Sequence, residues 1–319
     1  MKTYKNCQAD LFSLCRVVFS RPFTDRSGGV ALVLVIWVIV VLIAIVGEFS
    51  YSMRTEINIT RNFKEEEEAY QLALAGFEQA KAELLNAKDI SRMYVDANDV
   101  LIIDPDEEAP ERKGDLGKGN FQYTITDENG KMNLNISSME QLRYIFMNAG
   151  GKSEEIDTIV DSIFDWRDTD DLHMLNGAED DYYESLDRPY SCKDGPFDIP
   201  EELLLVKGVT PGIFYGTKAN DKEEAIDGVG KYFTVYGSGQ INKWTASKAV
   251  LEAVVGPVEA ENTVTLRESG QASGGNSEFF SIVSTGKNSD GTIKRTVKAV
   301  VQKQDDEMEI IYWNDNIIG

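Results

Sequence analysis

The chain has 319 residues, 42% of them hydrophobic, with 54 acidic against 32 basic side chains and a formal net charge of −22. That length accommodates about two ordinary domains with a real core. Residues 1–29 hold five basic residues against two acidic ones, +3, which leaves −25 for the rest; such a surface repels nucleic acid and anionic lipid and suits cations or basic partners.

The basic leader carries Cys7 and Cys15, two of the three cysteines, and ends in Gly28-Gly29. Val30 to Gly47 follows, 18 residues without a charge. As a helix this run is roughly 27 Å long, near the ~30 Å hydrocarbon thickness of a bilayer. A cleaved secretory signal has a shorter apolar region and a small-x-small site; IAIVGEFS, where this run ends, has no such pattern. The leader's charge favours a cytoplasmic N-terminus. From Glu48 to Lys88 there is no proline and one glycine, Gly76. Ala69, Leu72, Ala73, Gly76, Phe77, Ala80 and Leu84 fall on one helical face, behind the acidic turn Glu65 to Glu68. The pattern predicts one helix from Val30 to about Ala87, its first third in lipid and its last third packed on a soluble domain. The competing reading is a short anchor followed by a separate surface helix.

A short basic leader ending in glycine, then an apolar helix that runs on into an amphipathic one, resembles type IV pilins and type II secretion pseudopilins. The resemblance implies that prepilin peptidase cuts at Gly29–Val30 and that the helix is kept, first as an anchor and then as the core of a filament. Most members begin with Phe and carry Glu at the fifth mature position. Here those places hold Val30 and Leu34, which fits the branch of large minor pseudopilins called K. A carboxylate in lipid costs about 2.5–3.5 kcal/mol and is kept for a partner. The family glutamate meets the amine of the neighbour ahead in the fibre, and a subunit at the tip has no such neighbour. Leu34 is therefore compatible with a capping place.

Residues 89–118 are acidic and rich in Gly and Pro, and read as a loop. FQYTITDENGKMNLNIS alternates around Asn129-Gly130, a hairpin signal, with strands expected near 120–127 and 131–135. Helices are expected in SMEQLRYIFMNAG, with Ser138 as N-cap, in SEEIDTIVDSIFDWRD, and in IPEELLLVKG. The last is followed by Val-Thr-Pro-Gly and looks like a helix-hairpin-helix turn. KMNLNISSMEQL (131–142) and QINKWTASKAVL (240–251) echo each other at Asn133 and Asn242, Ser138 and Ser247, Leu142 and Leu251. Duplication and two similar strand-to-helix starts explain this equally. SEFFSIVSTGK and GTIKRTVKAVVQK alternate and form a hairpin across Asn288 to Gly291.

The fold class expected is α+β. A pilin-like N-terminal helix packs on an antiparallel sheet into which a large helical domain, helix-hairpin-helix or SAM-like, is inserted. The expected division is a leader at 1–29, the helix at 30–88 with 30–47 transmembrane, the first part of the α/β domain at 89–136, the insertion at 137–262, and closing strands at 263–319.

The chemistry concentrates in DSIFDWRDTDDLHMLNGAEDDYYESLD, residues 161–187, where ten carboxylates meet one arginine, Arg167, for a sum of −9. Such a stretch needs a cation or solvent to screen it, and flexible oxygen-rich sites suit Ca²⁺. The EF-hand template fails, because His173 stands where glycine is required and Leu172 where a ligand is. Composition alone therefore supports a generic acidic loop. The resemblance adds more: D-W-x-D-x-D followed by G-A-E and a tyrosine (Asp165, Trp166, Asp168, Asp170, Gly177, Ala178, Glu179, Tyr182 or Tyr183) looks like the calcium-binding segment of the K branch. It implies Ca²⁺ as cofactor and ligands drawn from Asp165, Asp168, Asp170, Asp171, Glu179 and Asp180. Cys192 reads as a buried, inert thiol. No phosphate loop, dinucleotide fingerprint, zinc spacing or nucleophile elbow is present, and no catalytic residue is assigned.

The resemblance implies a minor pseudopilin that starts or caps the pseudopilus. Its partners would be the other minor pseudopilins in a tip heterocomplex, the inner-membrane assembly platform and prepilin peptidase, with secreted cargo or the outer-membrane secretin as further contacts. Nucleic acid is not among them. Two other classes stay open on the residues. A membrane-anchored DNA-binding protein would use Lys207 and Gly208, although Glu201, Glu202, Glu223 and Glu224 lie close in sequence. An anchored hydrolase would use the carboxylates to hold Mg²⁺.

Overall fold

The computed structural model describes residues 28–106, 110–151, 153–217, 226–304 and 307–317. Most of the basic leader, with Cys7 and Cys15, lies outside the described residues, as do Glu223 and Glu224. The chain divides into two units, Met1–Lys64 and Glu65–Gly319.

One helix, α1, runs from Gly28 to Leu85. In the first unit its side chains are exposed from Gly29 through Lys64, and the helix is long and apolar enough to cross a membrane. No proline breaks it, and Gly47 adds only a local cost of about 1 kcal/mol against alanine.

In the second unit the remainder of α1 closes an antiparallel sheet. The sheet is built from β1 (Lys113–Leu116), β2 (Gly119–Asp127), β3 (Phe279–Lys287), β4 (Lys294–Gln304) and β5 (Glu307–Ile317), in the order β5-β4-β3-β2-β1. Every residue of the predicted helical face is buried: Ala69, Leu72, Ala73, Gly76, Phe77, Ala80 and Leu84. The small residues let the backbones meet. A Cβ on Gly76 would stand 2.4 Å from Ser284 Oγ, and one on Gly286 would stand 2.1 Å from the Ala69 carbonyl. Phe77 sits edge-on to Trp313 at 5.1 Å, above Phe121, Tyr123, Ile125, Phe280 and Ile282. Glu66 pairs with Arg295 of β4 at 2.7 Å.

Between β2 and β3 lies the helical part: α2 (Met139–Asn148), α3 (Ser153–Arg167), the short α4 (Asp180–Tyr183), a 3-10 helix at Pro200–Leu205, α5 (Pro211–Tyr215), α6 (Lys248–Val255) and α7 (Pro257–Glu268). It has its own core, in which Leu142, Ile145, Phe146, Ile159, Val160, Ile163, Tyr183, Leu203 and Phe233 are buried. Ser138 caps α2 by accepting from Gln141 N, and Ser247 caps α6 by accepting from Val250 N. Asn133 Oδ1 accepts from Asn135 N and Asn242 Oδ1 from Trp244 N, so the echoed segments share one local device. Only the first of them contains a strand, Met132–Asn133.

Three local expectations are corrected. The Asn129-Gly130 turn does not close a hairpin. Glu128–Gly130 is a 3-10 turn, and Met132–Asn133 pairs in parallel with Phe233–Thr234 inside the helical part. Tertiary contacts take the turn over: Asn129 Oδ1 accepts from Glu278 N and Phe279 N, and the Asn129 carbonyl accepts from Asn242 N. The hairpin partner of β2 is β1, joined through Gly117 at φ +66°, within the stretch expected to be loop. The segment IPEELLLVKG is a six-residue 3-10 helix rather than an α-helix, its start fixed by Pro200. The hairpin of β3 and β4 is present, and β5 adds a further strand on its free edge.

Asp127 is the knot where the helical part leaves and rejoins the sheet. It is 3% exposed. Its Oδ2 accepts from Thr245, Ser277 and Asn242, and its Oδ1 from Asn129 N. Burial pushes its carboxyl up to about 6, against the pull of those hydrogen bonds.

Candidate metal centre

The last turns of α3 place Asp161 and Asp165 one helical turn apart, and Asp168 just past the helix end. Asp161 and Asp165 shape the loop that follows. Asp161 Oδ2 accepts from Asn176 N at 3.1 Å and from its side-chain amide at 2.9 Å. Asp165 is 0% exposed; it accepts from Met174 N at 3.0 and 3.1 Å and from Ala178 N. Burial raises its carboxyl above the usual range. Two helix carboxylates thus fold residues 168–179 back over α3, and the turn delivers Glu179 beside them.

Glu179 starts α4 but makes no side-chain cap bond. It is 4% exposed, and burial, followed by the nearby Asp165, Asp194 and Asp168, pushes its carboxyl up to about 7. The Asp194 loop returns to the same point. Asp194 has φ +50°, a left-handed conformation that aspartate, with its short polar side chain, adopts more readily than most residues. Ligand atoms of Glu179, Cys192 and Asp194 lie within 4.8 Å of one another. Asp168, also shifted upward by burial, acts on Glu179 from alongside.

The state of the oxygens matters most. Asp168 Oδ1, Glu179 Oε1 and Asp194 Oδ1 are buried and have no hydrogen-bond partner among the described residues. Buried polar atoms are nearly always satisfied, and an orphan asks for an ion or water. Orphan oxygens on the neighbouring Glu179 and Asp194, with a third on Asp168 acting on Glu179 from nearby, fit a hard divalent cation with flexible geometry. The nearby basic groups are used elsewhere. Arg167 donates to the Leu134 and Ser137 carbonyls and lies over the Phe164 ring. Lys193 pairs with Asp198 and Glu202. Lys207 donates to the Gly177 carbonyl at 2.8 Å and the Asn176 carbonyl at 3.3 Å, with Tyr182 beneath its ammonium. The lysine that a helix-hairpin-helix would turn toward phosphates is therefore clamping the acidic loop.

Of the six expected ligands, Glu179 belongs to this cluster, and Asp168 lies near enough to act on its charge. Asp165 lies against it with its oxygens engaged by the loop. Asp180 Oδ1 accepts from Cys192 N at 2.6 Å. Asp170 and Asp171 are exposed, and Asp170 accepts from Leu172 N. Asp194 and Cys192 are the members that sequence reading did not place. The signal was the Asp194-Gly195 turn, which carries a carboxylate at a position only tertiary contact brings near Glu179. Cys192 is buried as expected; its thiol points to the Asp165 carbonyl at 3.9 Å, and burial pushes it up, so the proton stays on sulfur. Trp166, next to Asp165 in the chain, packs against Tyr183, Tyr190 and Phe197.

Residues 123–216 match the family model "Type II secretion system (T2SS), protein K", first domain. That stretch is similar to the first domain of type II secretion protein K. It contains α2, α3, the acidic loop and the Asp194 turn. The chain is 24% identical over 212 residues to type II secretion system protein K of Aeromonas hydrophila, covering 60% of this chain and 62% of that one. It is 27% identical over 211 residues to putative type II secretion system protein K of Escherichia coli (strain K12), with 60% of each covered. The alignments thus span about three fifths of these relatives. The fold resembles that of a chain in the crystal structure of the GspK-GspI-GspJ complex from enterotoxigenic E. coli, at TM-score 0.56 and 17% identity, over 81% of this chain and 99% of that one. The α+β, pilin-like class read from the sequence is the class of the fold.

Proposed function

We propose that this chain is a minor pseudopilin at the tip of a type II secretion pseudopilus, where it starts or caps assembly with sister minor pseudopilins. The observation that carries this reading is the presence in one chain of a stretch similar to the protein K domain and a 58-residue helix whose apolar start is wholly exposed while its last turns build a core. Sequence relatives that bear the K name, and the solved neighbour crystallised with GspI and GspJ, support it. The apolar helix serves first as a single-pass anchor in the inner membrane, N-terminus inside and head in the periplasm. After cleavage at Gly29–Val30 it packs with sister helices. Leu34 leaves no carboxylate to satisfy ahead of it, as a leading subunit requires.

Ca²⁺ is the cation proposed for the cluster, held by Asp168, Glu179 and Asp194. Its role is structural: it supplies positive charge to three carboxylates that otherwise repel one another, and it fixes the 168–179 loop to the 190–195 turn.

The test is expression of the full chain with prepilin peptidase and the sister minor pseudopilins. A mature N-terminus at Val30 and stoichiometric capture of the sisters are expected. An N-terminus beyond Gly47, or crosslinking that finds the chain in many copies along the fibre shaft, overturns the proposal.

A further inference from the structure

The carboxylate cluster contains one atom that a calcium site has no use for, the Cys192 sulfur. Calcium and magnesium take oxygen ligands, whereas thiolates select softer cations such as zinc. Cys192 is 7% exposed. Its sulfur shares a sphere with carboxylate oxygens of Glu179 and Asp194, all within 4.8 Å of one another. The sulfur makes a long contact with the Asp165 carbonyl, 3.9 Å, and its thiol also hydrogen-bonds with the Glu179 carboxylate and the Asp194 backbone, so it already faces the cluster. Its backbone is fixed by the bond from Cys192 N to Asp180 Oδ1. A second observation, independent of the sulfur, points to a ligand: Glu179 is 4% exposed and its Oε1 has no partner among the described residues.

We propose that Cys192 makes this cluster a mixed sulfur and oxygen site, which takes a thiophilic divalent cation such as Zn²⁺ or Cd²⁺ through the Cys192 sulfur together with the carboxylates of Glu179 and Asp194. This rests on reading the cluster as a cation site and adds a second class of occupant. The geometry permits it. Zinc bonds of about 2.3 Å to sulfur and 2.0–2.2 Å to oxygen put tetrahedral ligands about 3.5 Å apart, so the three groups close in by about 1 Å. On binding, the S–H bond breaks, the proton leaves to solvent, and a sulfur lone pair forms the metal–sulfur bond. Nothing is oxidised or reduced. The same residues therefore hold calcium through oxygen alone with the thiol protonated, or a softer ion with the thiol deprotonated, and the two ions compete.

The full chain in detergent is titrated with Cd²⁺ while the ultraviolet thiolate-to-cadmium charge-transfer band is followed. Thermal unfolding with and without Ca²⁺ is measured in parallel. The band in Cys192→Ser, which comes from Cys7 and Cys15, is subtracted. The expected result is a Cys192-dependent band that saturates at one Cd²⁺ per chain, shrinks with excess Ca²⁺, and needs at least tenfold more Cd²⁺ in Glu179→Gln. Cys192→Ser keeps the Ca²⁺ response, which shows that it folds. A Ca²⁺ response with no Cys192-dependent band overturns this inference and leaves the calcium reading standing. A Cys192-dependent band without any Ca²⁺ response supports this inference and overturns calcium as an occupant. The absence of both responses overturns the two together.

Discussion

Gly177 lies so close to Asp165 that a Cβ placed on it would stand 1.8 Å from Asp165 Oδ2. Asp165 cannot step back, because it is fully buried and its oxygens hold the amides of Met174 and Ala178. The glycine is thus required by a close approach of backbone to carboxylate. Gly177→Ala is expected to cost about 1–3 kcal/mol, as overpacking of a fixed site does. Because Glu179 is two residues on, the same change should also shrink the Ca²⁺-induced rise in unfolding temperature. Thermal unfolding of the full chain with and without Ca²⁺ measures both effects.

The Lys207 ammonium closes the acidic loop from the other side, through the carbonyls of Asn176 and Gly177. Lys207→Met keeps the stem and removes the charge. A loss of about 1.5–3 kcal/mol is expected from the charged hydrogen bonds, and Lys207→Arg should recover part of it. An unchanged unfolding midpoint in Lys207→Met would show that the clamp carries no stability.

The carboxylates divide by burial, and their substitution should divide the same way. Asp168→Asn and Asp194→Asn, each altering an orphan oxygen, are expected to weaken Ca²⁺ at least tenfold in isothermal titration. Asp171→Asn, at an exposed position, should leave affinity within twofold. Equal losses at all three positions would mean that the exposed arm of the loop also binds.

Asp127 sets a pH dependence that can be isolated. Its folded value, about 6, lies above the usual ~3.9 of an unfolded chain. Between those values the native state binds more protons than the unfolded one, so stability falls as pH rises from about 4 to about 6. The buried carboxylates at the metal centre slope the same way, so the quantity to read is a difference. Asp127→Asn should flatten the curve over that window relative to the parent, in denaturant unfolding at pH 4, 5 and 6 without divalent cations.

Much of this was legible in the chain itself. The face of α1 from Ala69 to Leu84 was readable because steps of three and four survive any context in which a helix packs on a flat surface. The β3 and β4 hairpin and the Ser138 cap were readable because alternation and capping are local. The turn at Asn129 was misread for the opposite reason: its side chain and carbonyl are used by residues more than a hundred positions away. The strand β5 was missed because EIIYW, at the sheet edge, has no clean alternation.

The sequence alone determined the class of molecule. A charge-free run of membrane length, continued without a break into an amphipathic helix, leaves few alternatives, because period and hydropathy are set residue by residue. The acidic segment could likewise be located from composition. Tertiary structure alone decided which carboxylates meet. Asp170 and Asp171, two and three residues after Asp168, face solvent, while Asp194, 26 residues after Asp168, turns inward beside Glu179 with Cys192. Ligand geometry is a matter of distances of a few ångströms, and chain separation does not encode those until Asp161, Asp165 and Lys207 have folded the loop.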